Sequence, residues 1–260
     1  MPGIHRKVEL EGVRNFRDFG GYVGSNGRIA SGRFFRSGHH ALASDSDLRA
    51  LQALDVRTLV DLRRPHERVR APSRRWEEFG ATVIQNDDPY EGEEIWEDFL
   101  ARWDLTPEAF RGYQHRYYSQ APFLPRITDL LGRYFQALAT TEGAVLIHCS
   151  AGKDRTGLVV ALTHAMAGVG PDDIISDYLL TNDPNLTQAP APHRVKDIHS
   201  SRGRTPSAEA MKAALGVDAA YLATAFAEIK SRSGSIEHYL HDTVGIDRRL
   251  RNAIEVRLFG

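Results

Sequence analysis

Apolar residues in this chain fall into short continuous runs and into stripes at helical spacing, and the two kinds of segment alternate. Ile29 to Arg36, Val56 to Leu62 (VRTLVDL) and Ala81 to Gln85 read as strands. Ser44-Asp45-Ser46-Asp47 offers a Ser-x-x-Asp helix start, followed by Leu48, Leu51 and Leu54 on one face. A longer helix is predicted from Pro125 to Ala139, where Ile127, Leu130, Leu131, Tyr134 and Leu138 line one side. Ala144 to Ile147 has the length and character of a buried strand. Thr156 to Ala167 is apolar on all sides, as a central helix must be.

Pro171 occupies a first-turn position, with Asp172 and Asp173 at the positive end of a helix that should reach about Leu180. Three more helical patterns follow: Asp218 to Lys230, Ser235 to Asp242 and Asp247 to Leu258. Strands interleaved with helices, then a helical C-terminal third, predict an α/β fold with a mostly parallel central sheet flanked by helices. Two stretches stand apart. Asp87 to Asp98 is acidic, and with Trp96, Trp103 and Phe110 nearby it reads as a helical insert whose polar side is solvated. Asp183 to Pro206 is rich in proline, serine and arginine, and its Pro190 to Pro206 portion reads either as a mobile connection or as part of a lid.

Composition narrows the functional classes. With 42% hydrophobic and 26% charged residues, the 260-residue chain is an ordinary globular protein. A formal net charge of -1 gives no argument for nucleic-acid binding. Its single cysteine, Cys149, excludes an internal disulfide framework and a Cys-cluster metal site. The N-terminal MPGIHRKVELEG has no apolar core behind its basic residues, so no secretory leader is read and a cytoplasmic location is expected. No apolar run is long enough to cross a membrane, so no stable membrane insertion is expected.

That one cysteine lies in HCSAGKDRTG, His148 to Gly157, between a predicted strand and a predicted helix. A loop feeding a helix N-terminus presents free backbone N–H groups and partial positive charge, which suits a phosphate. Ser150, Ala151, Gly152, Lys153, Asp154 and Arg155 would form the cradle. Arg155 supplies the planar fork for two phosphate oxygens. The same field would favour Cys149 as a thiolate, able to attack phosphorus and give a phosphocysteine that water hydrolyses. Thr156 could donate its hydroxyl to the sulfur, or serve only as a helix-start residue. His148 could fix the loop through a backbone contact. A Walker-type phosphate loop is excluded, because Asp154 follows Lys153 and Ile147 stands where the first glycine is required.

Cys-x5-Arg-Thr with a preceding His, between an apolar strand and an apolar helix, resembles the signature of the cysteine-dependent protein tyrosine phosphatase superfamily. With Lys153-Asp154 inside the loop it resembles more narrowly the bacterial tyrosine/lipid phosphatases. Asn15 to Asp18, Gly32 to Ser37, Val60 to Arg63, Asp177 to Asn182 and Gly216 to Leu222 share the likeness, which spans nearly the whole chain. The resemblance implies a phosphotyrosine-phosphatase-like fold in a single domain over residues 1–260. It also implies hydrolysis of phosphotyrosine, with phosphoserine, phosphothreonine or phosphoinositides as further substrates on protein or lipid partners. No metal or other cofactor is expected, because Arg155 and the loop amides neutralise the phosphate. The alternative is a phosphate-binding module without turnover that sequesters phosphorylated partners.

The proton donor is less direct. The superfamily usually supplies it from a separate loop about 30 residues before the cysteine, yet that neighbourhood here is Tyr117-Tyr118-Ser119-Gln120-Ala121-Pro122, with no acid. Asp129 falls on the polar side of the helix from Pro125. Two candidates remain: Asp154, which the resemblance favours, and Asp61, which could assist, orient Arg155, or simply pair with a neighbouring arginine. Lys153 could contact a second phosphate or be an exposed loop cation. Asn15 to Asp18 and Arg36-Ser37 are expected to buttress the loop.

Overall fold

The computed structural model describes residues 10–88, 96–102, 104–184 and 206–260. At its centre is a five-stranded sheet in the order β1-β4-β7-β5-β6, formed by β1 (Arg17–Asp18), β4 (Phe34–Ser37), β7 (Ala144–His148), β5 (Val56–Asp61) and β6 (Thr82–Ile84). Four strands run parallel, and only β1 at the edge is antiparallel. Every residue of β7 is buried, which explains its unbroken apolar run: a middle strand of a parallel sheet is covered on both faces. A small hairpin, β2 (Val23–Gly24) with β3 (Gly27–Arg28), lies outside this sheet.

Helices cover both faces. On one side α1 (Asp45–Gln52) places Leu48 and Leu51 with Leu59, Leu146 and Trp76. Its start is a reciprocal cap, Asp47 N–H donating to the Ser44 hydroxyl at 3.1 Å and Ser44 N–H to the Asp47 carboxylate at 3.0 Å. On the other side α5 (Pro125–Thr140) and α6 (Asp154–Met166) share the main core with α9 (Ala219–Ser233) and α10 (Arg248–Phe259). α6 is buried almost all round, as its composition requires. A third cluster joins Trp96, Phe99 and Leu100 of α3 (Trp96–Arg102) to Phe110 and Tyr113 of α4 (Pro107–Gln120) and Ala210 and Ala214 of α8 (Ala208–Leu215). α2 (Pro65–Arg70) follows β5, and α7 (Pro171–Leu179) follows α6.

Most predicted elements stand within a residue or two of their expected limits. Ile29 to Arg36 is a correction: only Phe34–Ser37 is strand. Gly32 takes φ +77 and its N–H is held by the Asp18 carboxylate at 2.5 Å, while Ala30 N–H bonds the Leu258 carbonyl at 2.7 Å. These bonds take residues 29–32 out of the sheet ladder, while the Arg33 carbonyl already accepts from Val145 N–H of β7 at 2.9 Å. Ser235 to Asp242 splits into a short α turn, Ile236–His238, and a π turn, Tyr239–Thr243. α4 belongs to no predicted element of its own; Thr106 caps it by accepting from Ala109 N–H at 3.2 Å, with Pro107 at its first position. Trp103, the middle of the acidic insert and nearly all of the 183–206 connection lie outside the described residues. Among the described residues no helix is long and apolar enough to cross a membrane.

Candidate active site

The loop from Cys149 to Lys153 joins the C-terminal end of β7 to the N-terminus of α6, at the carboxyl ends of the strands where parallel α/β folds bind ligands. Register places His148 between Ser37 of β4 and Asp61 of β5. Gly152 turns the loop at φ +67, and a Cβ there would lie 2.4 Å from the Ser37 carbonyl oxygen, so no other residue fits without a shift. The Gly152 carbonyl is tied back by Asn15 Nδ2 at 2.7 Å and Arg36 Nη2 at 2.9 Å. Arg36 is in turn paired with Asp177 at 2.8 Å, and Arg17 Nη2 donates to the Asp177 carbonyl at 2.9 Å. Asn15, Arg17, Arg36 and Asp177 are all buried and supply the expected buttress, whereas Asp18 holds the Gly20 and Gly32 N–H groups and the Ser37 hydroxyl bonds Gly38 and His40. Holding a loop carbonyl on that side is what frees N–H groups for an anion on the other.

Cys149 is buried at the base of the loop. Arg155, one residue into α6, is gripped by Glu67 of α2: Nη1 donates to Oε2 at 2.5 Å and Nη2 to Oε1 at 2.7 Å. Nη1 also donates to the Leu62 carbonyl at 3.1 Å, and the Ser150 hydroxyl donates to Glu67 Oε1 at 2.5 Å. Burial by itself would raise the Glu67 carboxyl, but the charge and hydrogen bonds of Arg155 hold it well below the usual carboxylate range. Glu67 was no sequence candidate. Its signal was faint: Pro65 at a first helical position with Glu67 two residues on, whose carboxylate caps Arg64 N–H at 2.7 Å. The Thr156 hydroxyl is fully buried and makes no hydrogen bond, so the expected donation to the Cys149 sulfur is not formed in this structure.

Asp154 begins α6 and is the more open of the two candidate acids, its side chain 18% exposed. Tyr118 of α4 donates its hydroxyl to Asp154 Oδ1 at 3.1 Å, and the Tyr118 and Tyr178 hydroxyls lie 2.7 Å apart. The segment 117–122, which lacks an acid, thus supplies a donor to the acid of the loop. Lys153 is not an exposed cation: it is 2% exposed, donates to the Ala214 carbonyl of α8 at 3.1 Å and lies 3.7 Å from Asp154 Oδ2.

Asp61 pairs with its neighbouring arginine. It accepts from Arg63 Nε at 2.9 Å, Arg63 Nη2 at 2.7 Å and Arg63 N–H at 3.0 Å, so its orienting role for Arg155 is corrected to a pairing with Arg63. Burial would raise the Asp61 carboxyl, but the adjacent His148 ring and Arg63 outweigh it and hold it well below the carboxylate range. His148 Nε2 lies 3.6 Å from Asp61 Oδ2, and its Nδ1 lies 3.3 Å from the Cys149 carbonyl, the backbone contact expected of it. Burial lowers His148 to about 4, so at neutral pH it is uncharged and Arg63, with Arg75 nearby, balances Asp61. His40 stacks on His148 with centroids 4.8 Å apart. Asp129 is at the surface, accepting from Asn86 at 2.7 Å. Among the described residues no group of three His, Cys, Asp or Glu side chains is arranged to hold a metal ion.

A buried cysteine at a strand end, beside an arginine held at the N-terminus of a helix, suits capture of a tetrahedral dianion and attack on it. Comparison with known proteins points to phosphatases. The chain is 32% identical over 258 residues to a protein of Cupriavidus necator named as a tyrosine-protein phosphatase, covering 95% of this chain and 87% of the relative. It is 30% identical over 280 residues to the triple specificity protein phosphatase PtpB of Mycobacterium tuberculosis, covering 97% and 99%. A tyrosine-protein phosphatase of Nostoc commune is 26% identical over 234 residues, covering 88% and 75%. A crystal structure of P. aeruginosa TpbA aligns with a TM-score of 0.34 at 18% identity, over 78% of this chain and 89% of that one. Residues 8–260 match the tyrosine phosphatase family, and it is to this family that the chain belongs.

Proposed function

We propose that this phosphatase hydrolyses phosphate monoesters through a phosphocysteine on Cys149, with phosphotyrosine in proteins or peptides as its first substrate. The observation that carries the reading is the Glu67-held Arg155 fork beside the Cys149 loop, whose Gly152 carbonyl is drawn away by Asn15 and Arg36. The dianion docks on the loop amides and on Arg155. The Cys149 thiolate attacks phosphorus, an S–P bond forms, and the P–O ester bond breaks. The leaving oxygen takes a proton from Asp154. Water then attacks phosphorus, gives its proton to the Asp154 carboxylate, and releases phosphate as the S–P bond breaks.

Two geometric points favour Asp154 over Asp61 as the donor. Asp154 is partly open beside the loop, whereas Asp61 is 1% exposed and committed to Arg63. Lys153, engaged by Ala214 and close to Asp154, serves in this reading as a brace between α8 and the loop instead of a headgroup ligand. Phosphoserine, phosphothreonine and phosphoinositides are secondary substrates in this reading, in keeping with the name of the mycobacterial relative. Rates on a phosphotyrosine peptide, a phosphoserine peptide and phosphoinositide vesicles test the order. The peptide carrying phosphotyrosine should be turned over fastest, and affinity for all three without turnover would make the chain a binding module.

A further inference from the structure

We propose that Tyr118 and Tyr178 form a buried hydroxyl chain that positions Asp154 for proton transfer, with Tyr118 as the positioning residue in direct contact with it. The proposal rests on Asp154 being the proton donor, and it concerns two residues on helices remote in sequence from the loop.

The direction of the chain follows from counting hydrogens. Each phenol has one. Tyr118 gives its hydrogen to Asp154 Oδ1 at 3.1 Å, so the 2.7 Å contact between the phenols is filled by Tyr178 donating to the Tyr118 oxygen. Donors aligned in this way polarise one another. Both side chains are buried, Tyr118 completely, so neither touches substrate. Burial, followed by the nearby Asp154 charge, raises both phenols well above their ordinary range, so they remain donors throughout the working pH.

Each tyrosine is also fixed in place. The Tyr118 ring stacks on Tyr221 at 5.9 Å between centroids and 30° between planes. The Tyr178 ring lies over Gly157 of α6, where an added Cβ would approach ring carbons to 2.9 Å. Gly157, the last residue of HCSAGKDRTG, therefore admits the ring that anchors the chain. With Oδ1 occupied by Tyr118, Oδ2 is left as the oxygen that carries the transferable proton, 3.7 Å from the Lys153 ammonium. A carboxyl free to rotate would present that proton only part of the time, and small misplacements of a catalytic group are costly.

The test is steady-state kinetics of the full chain on phenyl phosphate, a poor leaving group, and on 2,4-dinitrophenyl phosphate, which needs no acid. Tyr118→Phe should lower kcat on phenyl phosphate roughly 10- to 100-fold, leave KM unchanged, and cost at most about threefold in kcat/KM on the dinitrophenyl ester, a ratio that excludes the later hydrolysis in which Asp154 is the base. Tyr178→Phe should act in the same direction by a smaller factor. In an Asp154→Asn background, Tyr118→Phe should add no further loss. Equal losses in kcat/KM on both esters, a change confined to KM, or an independent loss on top of Asp154→Asn would each overturn the proposal. If Asp154→Asn alone shows no dependence on leaving group, the donor assignment itself falls. If it does and Tyr118→Phe does not, only the hydroxyl chain falls. Should Tyr118→Phe fail to fold, Tyr178→Phe and the cycle built on it decide the matter by the same criteria.

Discussion

Glu67 holds both terminal nitrogens of Arg155 while accepting the Ser150 hydroxyl, so one carboxylate of α2 ties the start of α6 to the phosphate loop. A guanidinium fixed this way meets a phosphate without first losing rotamer freedom. Glu67→Gln keeps the shape and removes the charge; it should lower kcat/KM about 10-fold, mainly through KM, since uniform phosphate binding is weakened. Glu67→Ala leaves Arg155 buried without its partner and should cost about 3 kcal/mol or more in urea unfolding. A glutamine variant with unchanged KM would show that Arg155 is positioned by α6 alone.

Gly152 combines φ +67 with a Cβ position 2.4 Å from the Ser37 carbonyl. Gly152→Ala should lose more than about 1 kcal/mol of stability. It should also lower kcat/KM, because relief of the clash moves the carbonyl that Asn15 and Arg36 hold. Thermal unfolding and kinetics on p-nitrophenyl phosphate check both, and an unaffected variant would remove the loop strut from the account.

Stability should fall on mild acidification. His148 is lowered to about 4 by burial, against about 6.5 in the unfolded chain, so below neutrality the unfolded state takes a proton that the folded state refuses. The contribution is complete above the unfolded value and drains away as pH falls toward 4, by roughly 2 kcal/mol at pH 5. Buried His40, lowered in the same direction, adds to the trend. Glu67 and Asp61, held below the carboxylate range, withdraw their share only below pH ~4. Urea unfolding at pH 7 and pH 5 measures the first window; equal stability at both would mean the two rings are not buried neutral.

The two candidate acids should separate by leaving group. Asp154→Asn should lower kcat/KM on phenyl phosphate by roughly 100-fold or more and barely affect kcat/KM for an ester with a good leaving group. Asp61→Asn removes the charge paired with buried Arg63 and should destabilise the fold by about 3 kcal/mol, with losses that do not track the leaving group. Kinetics on the two esters, alongside unfolding, would reverse the assignment if the patterns were exchanged.

What could be read from the sequence was whatever carries a period or a fixed spacing. β7, α5, α6 and α7 are continuous patterns bounded by proline, glycine or a charge, and the Cys149–Arg155 spacing is contiguous in the chain. The contacts that were missed are long-range. Glu67 reaches Arg155, and Tyr118 reaches Asp154, only because sheet order and helix packing bring α2 and α4 to the loop. Nothing local at Tyr118 distinguishes a catalytic helper from an ordinary core tyrosine. Lys153 is of the same kind: the loop leaves a second-phosphate contact and an exposed cation open, and nothing local announces the Ala214 carbonyl of α8 to which it donates. Residues 29–32 had the composition of a strand but spent their backbone hydrogen bonds on Asp18, Gly21, Tyr22 and Leu258.

The central claim is that Cys149 is the nucleophile. The most direct measurement is mass spectrometry of the enzyme acid-quenched during turnover of a phosphotyrosine peptide, with Cys149→Ser run in parallel. The account predicts one phosphoryl group on the peptide containing Cys149 and none on the turnover-dead serine variant. A Cys149→Ser enzyme that hydrolyses the peptide at the wild-type rate, with no phosphoryl adduct on the native protein, would contradict it.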